Sequence, residues 1–182
     1  MQTQTVKMVI TGPFSSGKTQ FVQSISEIDV VSTERDISSD AERVKDQTTV
    51  AMDFGRITID DDLVLYLFGT PGQRRFDFMW EILAQGMLGF VVMVDSARPE
   101  TFREAQSILE TFRAYAPTPY VVAANKQDLG DAWNIDDLRV ALRLDDHVKM
   151  LPCIATDQES VKNVLLELLY GILEEMELEE EE

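Results

Sequence analysis

The strongest chemical signal in the chain is Gly12-Pro13-Phe14-Ser15-Ser16-Gly17-Lys18-Thr19, a complete match to G-x-x-x-x-G-K-[ST]. Such a loop suits a phosphate chain for a physical reason. Its glycines let the backbone curl until successive N–H groups face one anion, and a helix starting at the loop's end adds partial positive charge. Lys18 is placed to bridge the β- and γ-phosphates, the Thr19 hydroxyl to coordinate Mg²⁺, and Gln20 to extend the nucleotide contacts into the helix. A second set, Asn125-Lys126-Gln127-Asp128, follows an apolar run. Its chemistry favours guanine. A carboxylate such as Asp128 can accept from both N1–H and the exocyclic amine, and adenine offers no such donor pair. Asn125 can tie the loop together and approach N7, while the Lys126 stem covers the ring face. The implied ligands are GTP or GDP with Mg²⁺.

These groups need a scaffold, and the apolar pattern supplies one. Val6–Thr11 reads as a strand, Lys18–Ile28 as a helix, and residues 29–48 as a long polar surface loop. A strand is expected from Thr49 to Ile59, with Gly55 as a kink or bulge, then a turn at Asp60-Asp61-Asp62 and a strand from Leu63 to Phe68. So short a connection makes those two strands antiparallel. Further along come a strand at Leu88–Val94, and a helix opened by Pro99 with Phe102, Ala105, Leu109 and Phe112 on one face. Tyr120–Ala124 (strand), Asp136–Arg143 (helix) and Lys149–Ile154 (strand) complete the alternation. A capping box of Thr156 and Glu159 opens the last helix, whose apolar stripe is Val161, Val164, Leu165, Leu168, Leu169, Ile172 and Leu173. The pattern predicts an α/β fold, a mostly parallel sheet with helices on both faces. Residues 1–173 form the domain, and 174–182 an acidic tail, disordered or a fraying helix end.

Composition narrows the partners. The 182 residues carry 33 acidic and 16 basic side chains, a formal charge of −17. Removing the glutamates of the tail still leaves −10, so the acidity belongs to the domain as well. That balance excludes the basic footprint of a nucleic-acid binder and a polybasic lipid-docking patch. It also means that a triphosphate is held by local groups, because the overall field repels it. The lone Cys153 cannot form an internal disulfide and is expected in the core, and His147 has no second histidine with which to build a metal site or triad. The N-terminal residues lack a signal pattern and a second-position glycine, and no cysteine lies near the C-terminus. The expectation is a cytoplasmic protein with no lipid anchor.

From Thr5 to Leu173 the chain resembles the Ras-like small GTPases, P-loop NTPases whose phosphate loop is Gly12 to Thr19 here and whose guanine motif is Asn125 to Asp128. The resemblance implies a six-stranded sheet, its second strand alone antiparallel, with five surrounding helices. Thr49-Val50-Ala51-Met52-Asp53-Phe54 is similar to the end of switch I in the Rab branch, which implies Thr49, ahead of neighbouring Thr48, as the threonine meeting Mg²⁺ and the γ-phosphate. Gly72-Gln73 resembles the end of switch II, implying that the Gly72 N–H senses the γ-phosphate and Gln73 orients the attacking water. Ile154-Ala155-Thr156 stands where the family has Ser-Ala-Lys, with the Ala155 N–H reaching guanine O6.

Three positions depart from that pattern. The D-x-x-G motif reads Gly69-Thr70-Pro71-Gly72, without the aspartate that holds Mg²⁺ through water. This is similar to a prokaryotic branch containing gliding-motility polarity GTPases and actinobacterial GTPases encoded beside Roadblock-domain proteins, which implies a Roadblock-type regulator and an effector at the switches. Phe14 replaces the usual glycine and would obstruct an arginine finger from a partner; Arg43, Lys45, Arg74 and Arg75 flank the switches as internal candidates. The Ser-Ala-Lys loop keeps only its alanine. The leading expectation is therefore a signalling switch with slow GTP hydrolysis, in which GTP orders residues 36–49 and 69–80. The rivals are an ATPase using Asp95 at the end of Val91-Val92-Met93-Val94 as a Walker-B aspartate, and a module that binds nucleotide with negligible hydrolysis. Phe76, Phe78, Met79 and Trp80 are candidates for either partner docking or helix packing.

Overall fold

A computed structural model describes residues 3–32, 52–72 and 76–181. β1 (Gln4–Thr11), β3 (Asp53–Asp60), β4 (Leu63–Gly69), β5 (Gly89–Asp95), β6 (Tyr120–Asn125) and β7 (Met150–Pro152) build a six-stranded sheet, to which the two-residue β2 (Val31–Ser32) adds an edge. The spatial order is β2-β3-β4-β1-β5-β6-β7. Only β3 runs against the others, paired antiparallel with β4 across the turn at Asp60–Leu63, where the Asp60 carboxylate accepts from the Asp62 N–H. The helices are α1 (Lys18–Ile25), α2 (Phe78–Ala84), α3 (Phe102–Tyr115), α4 (Ile135–Ala141) and α5 (Gln158–Glu180).

Alternation along the central strands divides the core in two. Met8 and Ile10 of β1 join Val91, Met93, Phe21 of α1 and the α5 stripe on one face. Val9 joins Phe90, Val92, Trp80 of α2, and Phe102, Leu109 and Phe112 of α3 on the other. The expected α5 stripe is buried from Val161 to Ile172, but Leu173 is partly exposed, and α5 continues to Glu180 with its last residues in solvent.

Several local expectations are revised. α1 stops at Ile25 rather than Ile28, because Ser26 leaves the helix and its hydroxyl bonds locally to Ile28 and to the Arg56 N–H. Gly55 is not the bulge; the register shifts between Thr58 and Asp60. What Gly55 permits is close approach of α1, since a Cβ there would stand 2.6 Å from Val22 Cγ1. Pro99 opens a 3₁₀ turn, and α3 proper begins at Phe102. The cap of α5 is Asp157, whose carboxylate accepts from the Glu159 N–H, in place of the expected Thr156 box.

Candidate functional site

β1 lies between β4 and β5, the point where the strand order reverses, so the loop after Thr11 opens at the crevice beyond the strands' carboxyl ends. Within it Gly12 and Gly17 take φ of 146° and 104°. A Cβ at Gly12 would lie 2.5 Å from the Met93 carbonyl oxygen, and one at Gly17 only 2.2 Å from Asn125 Nδ2. Backbone angle and space both demand glycine. Ser15 also turns left-handed, at φ 61°, which completes the curl.

Lys18 is buried, and its ammonium donates to the Gly12 and Pro13 carbonyls, each at 2.7 Å. These bonds hold the positive charge at the loop, while Pro13 and Ser16 are buried beneath it and Phe14, Ser15 and Gln20 are exposed. Among the described residues Ser16 Oγ is buried with no hydrogen-bond partner. The Thr19 hydroxyl donates to Asp53 Oδ2 at 2.6 Å.

The segment after β4 is pinned against the same loop. Thr70 donates its N–H to Ile10 O and its hydroxyl to Thr11 Oγ1, both at 2.9 Å, and Trp80 Nε1 donates to Pro71 O at 3.1 Å. Gly72 is buried; a Cβ on it would meet Phe14 Cα at 2.9 Å and Lys18 Nζ at 3.0 Å. Its backbone therefore rests on the phosphate loop beside Lys18.

The second loop is tied to the first through one side chain. Asn125 is 2% exposed; its Nδ2 donates to Ser16 O and its Oδ1 accepts from the Ala155 N–H, both at 2.9 Å. The Ala155 amide, expected to reach the base, here donates to this buried oxygen. A buried amide must find partners for both ends, and the adjacent loop provides the donor. Lys126 takes φ 64° and sends its ammonium to Asp95 Oδ2 at 2.6 Å and Ser15 O at 3.2 Å. Asp95, the Walker-B candidate, thus supports the base loop: its other oxygen accepts from the Ala97 N–H. Gln127 braces the loop from behind through Ser96 Oγ (2.8 Å) and Trp133 O (3.0 Å). Asp128 and Thr156 stand exposed at the surface of this assembly.

The structure therefore gathers Gly12–Thr19, Gly72, Asn125, Lys126 and Ala155 around one crevice. Thr49, Gln73, Arg43, Lys45, Arg74 and Arg75 lie outside the described residues. Of the aromatic and Met residues after them, Trp80 is buried in the core, whereas Phe78 is 54% exposed. Sequence reasoning missed the supporting roles of Asp53, Ser96 and Gln127. Asp53 alone had a readable signal, as the first carboxylate after Thr49 on the strand beside Gly69.

The family model described as conserved hypothetical ATP binding protein matches residues 28–177, which includes the base loop and begins beyond the phosphate loop. An uncharacterized protein of Methanocaldococcus jannaschii is 33% identical over 72% of this chain and 76% of its own length. Human ADP-ribosylation factor-like protein 9 is 29% identical over 77% of the chain and 68% of its length. Human Ras-related protein Rab-3A is 26% identical over 93% of the chain and 74% of its length.

Proposed function

The chain belongs to the family described as conserved hypothetical ATP binding protein and to the Ras-like P-loop GTPase superfamily, and from that premise we propose that it is a guanine-nucleotide switch that hydrolyses GTP slowly. The observation that carries the guanine reading is the double tie of Asn125 to Ser16 O and Ala155 N. It holds the base loop in fixed register with the phosphate loop, so that a nucleotide seated on Gly12–Thr19 presents its base to Lys126 and Asp128. Replacing Asp128 by Asn exchanges an acceptor for a donor. Asp128→Asn is therefore expected to shift preference from GDP toward xanthosine diphosphate, and retention of the wild-type preference would defeat the assignment.

The residues present fit a magnesium ion, since the Thr19 hydroxyl already stands beside a buried carboxylate oxygen, and hard oxygen donors suit that ion. When bound, Mg²⁺ would neutralise charge on the β- and γ-phosphates. The chain's own part is positional. The loop amides and Lys18 hold the phosphates, Thr49 closes over them, the Gly72 amide meets the γ-phosphate, and Gln73 orients water. Unchanged GTP turnover in Gln73→Leu would remove that last role.

Loss of the γ-phosphate contacts would release residues 36–49 and 69–80, so a regulator and an effector are assigned to the neighbouring surface. That surface includes exposed Phe78 and Ile82 on α2. A Roadblock-type regulator, a cytoplasmic setting and a prokaryotic signalling role complete the reading; among the described residues no helix is long and apolar enough to cross a membrane. Capture of a regulator equally by GDP- and GTP-loaded protein would argue against switching. A second reading, ATP binding, is favoured by the description of the matching family. Against it stands the Asn125–Asp128 loop.

A further inference from the structure

The motif that usually provides a metal-holding aspartate has Gly69 in that place, and the structure shows what stands there instead. Asp53, the first residue of β3, pairs directly across the antiparallel ladder with Gly69, the last residue of β4. A Cβ built on Gly69 would lie 3.0 Å from Asp53 Cβ and 3.1 Å from Asp53 Oδ2. The Asp53 carboxylate thus fills the space that a side chain at position 69 would enter. Its Oδ2 is also the oxygen 2.6 Å from Thr19 Oγ1. We propose that Asp53 supplies the carboxylate of the Mg²⁺ site in this chain, reaching from β3 the place that the family reaches from the end of β4.

Two physical points favour this assignment. Asp53 is 6% exposed, and among the described residues the neutral Thr19 hydroxyl donates to its carboxylate at 2.6 Å. A buried carboxylate so placed is costly unless a positive charge arrives, and a dication beside Thr19 provides one. The same geometry explains why position 69 is glycine. An aspartate at 69 would press on Asp53 at 3.0 Å and set two carboxylates together, so this site accepts one acid from either strand and not from both.

The inference rests on the nucleotide reading above, and its test separates the two. Dissociation of a fluorescent N-methylanthraniloyl derivative of GDP is followed with Mg²⁺ present and with EDTA. In wild-type protein Mg²⁺ slows release. Asp53→Asn keeps an oxygen to accept from Thr19 and loses only the charge, so the fold persists while Mg²⁺ affinity falls about 10–100-fold. The double variant Asp53→Gly/Gly69→Asp moves the carboxylate to the other strand and is expected to restore the Mg²⁺ effect. Titration of Mn²⁺ by electron paramagnetic resonance reads the same losses and recovery without reference to turnover. Unaltered Mg²⁺ dependence in Asp53→Asn, or release indifferent to Mg²⁺ in the wild type, would overturn the proposal. Should the chain prefer adenine, the same comparison with the ADP derivative still decides it, because Thr19 and Asp53 lie on the phosphate side.

Discussion

Asn125→Ala separates structural coupling from base recognition. The substitution removes the donor to Ser16 O and the acceptor of the Ala155 N–H, two bonds of 2.9 Å at a residue 2% exposed. Each leaves a buried backbone group without its partner, a loss of about 1–3 kcal/mol apiece. Allowing for water entering the vacated space, the sum is about 3 kcal/mol, or roughly 6–12 °C in melting temperature for a domain of this size. The assay is thermal and urea unfolding without nucleotide, with Asp128→Ala as the control. Asp128 is exposed, so its truncation is expected to weaken GDP binding while leaving the melting temperature within about 2 °C, as surface changes do. An Asn125→Ala protein as stable as wild type, or an equal loss in Asp128→Ala, would show that Asn125 does not join the two loops.

Three further outcomes follow from the packing. Gly55→Ala forces a methyl to within 2.6 Å of Val22 Cγ1, and urea unfolding is expected to show a loss of about 1–3 kcal/mol; a neutral result would mean that α1 is free to retreat. Asp95→Asn removes the charge that holds Lys126, whose side chain is a third exposed, so the pair is discounted for screening to about 1 kcal/mol, or fivefold faster GDP release in stopped flow. Burial pushes the Cys153 thiol up to about 11, so at pH 8 Ellman's reagent should label it far faster in denaturant than in buffer. The raised folded value means that its contribution to stability is complete below the ordinary thiol range and is lost as pH rises through about 11.

Much of this architecture is legible without coordinates because central strands buried on both faces leave continuous apolar runs. Tyr120–Asn125 and Gly89–Asp95 lie within a residue of their expected bounds for that reason. The phosphate loop is equally plain, since curling a backbone around an anion admits few residue types. α2 is harder: its seven residues make barely two turns, too few for a helical period to stand out. Gly55 was open to two meanings, and only the position of α1 chooses close approach over a bulge. Asp157 and Thr156 are both good caps, and backbone direction decides between them. The role of Asp53 was hidden by distance along the chain, because its complement to Gly69 exists only through β-strand pairing. The same holds for the Ala155 amide, which follows β7 while its partner Asn125 ends β6.

Base selectivity is decided most directly by calorimetric titration of GDP and of ADP in Mg²⁺ against the intact chain. A site that accepts from guanine N1–H and its amine leaves Asp128 unpartnered over adenine, so GDP should bind at least about 100-fold tighter. Equal affinities, or tighter binding of ADP, would contradict a guanine-nucleotide switch and return the chain to the ATP reading.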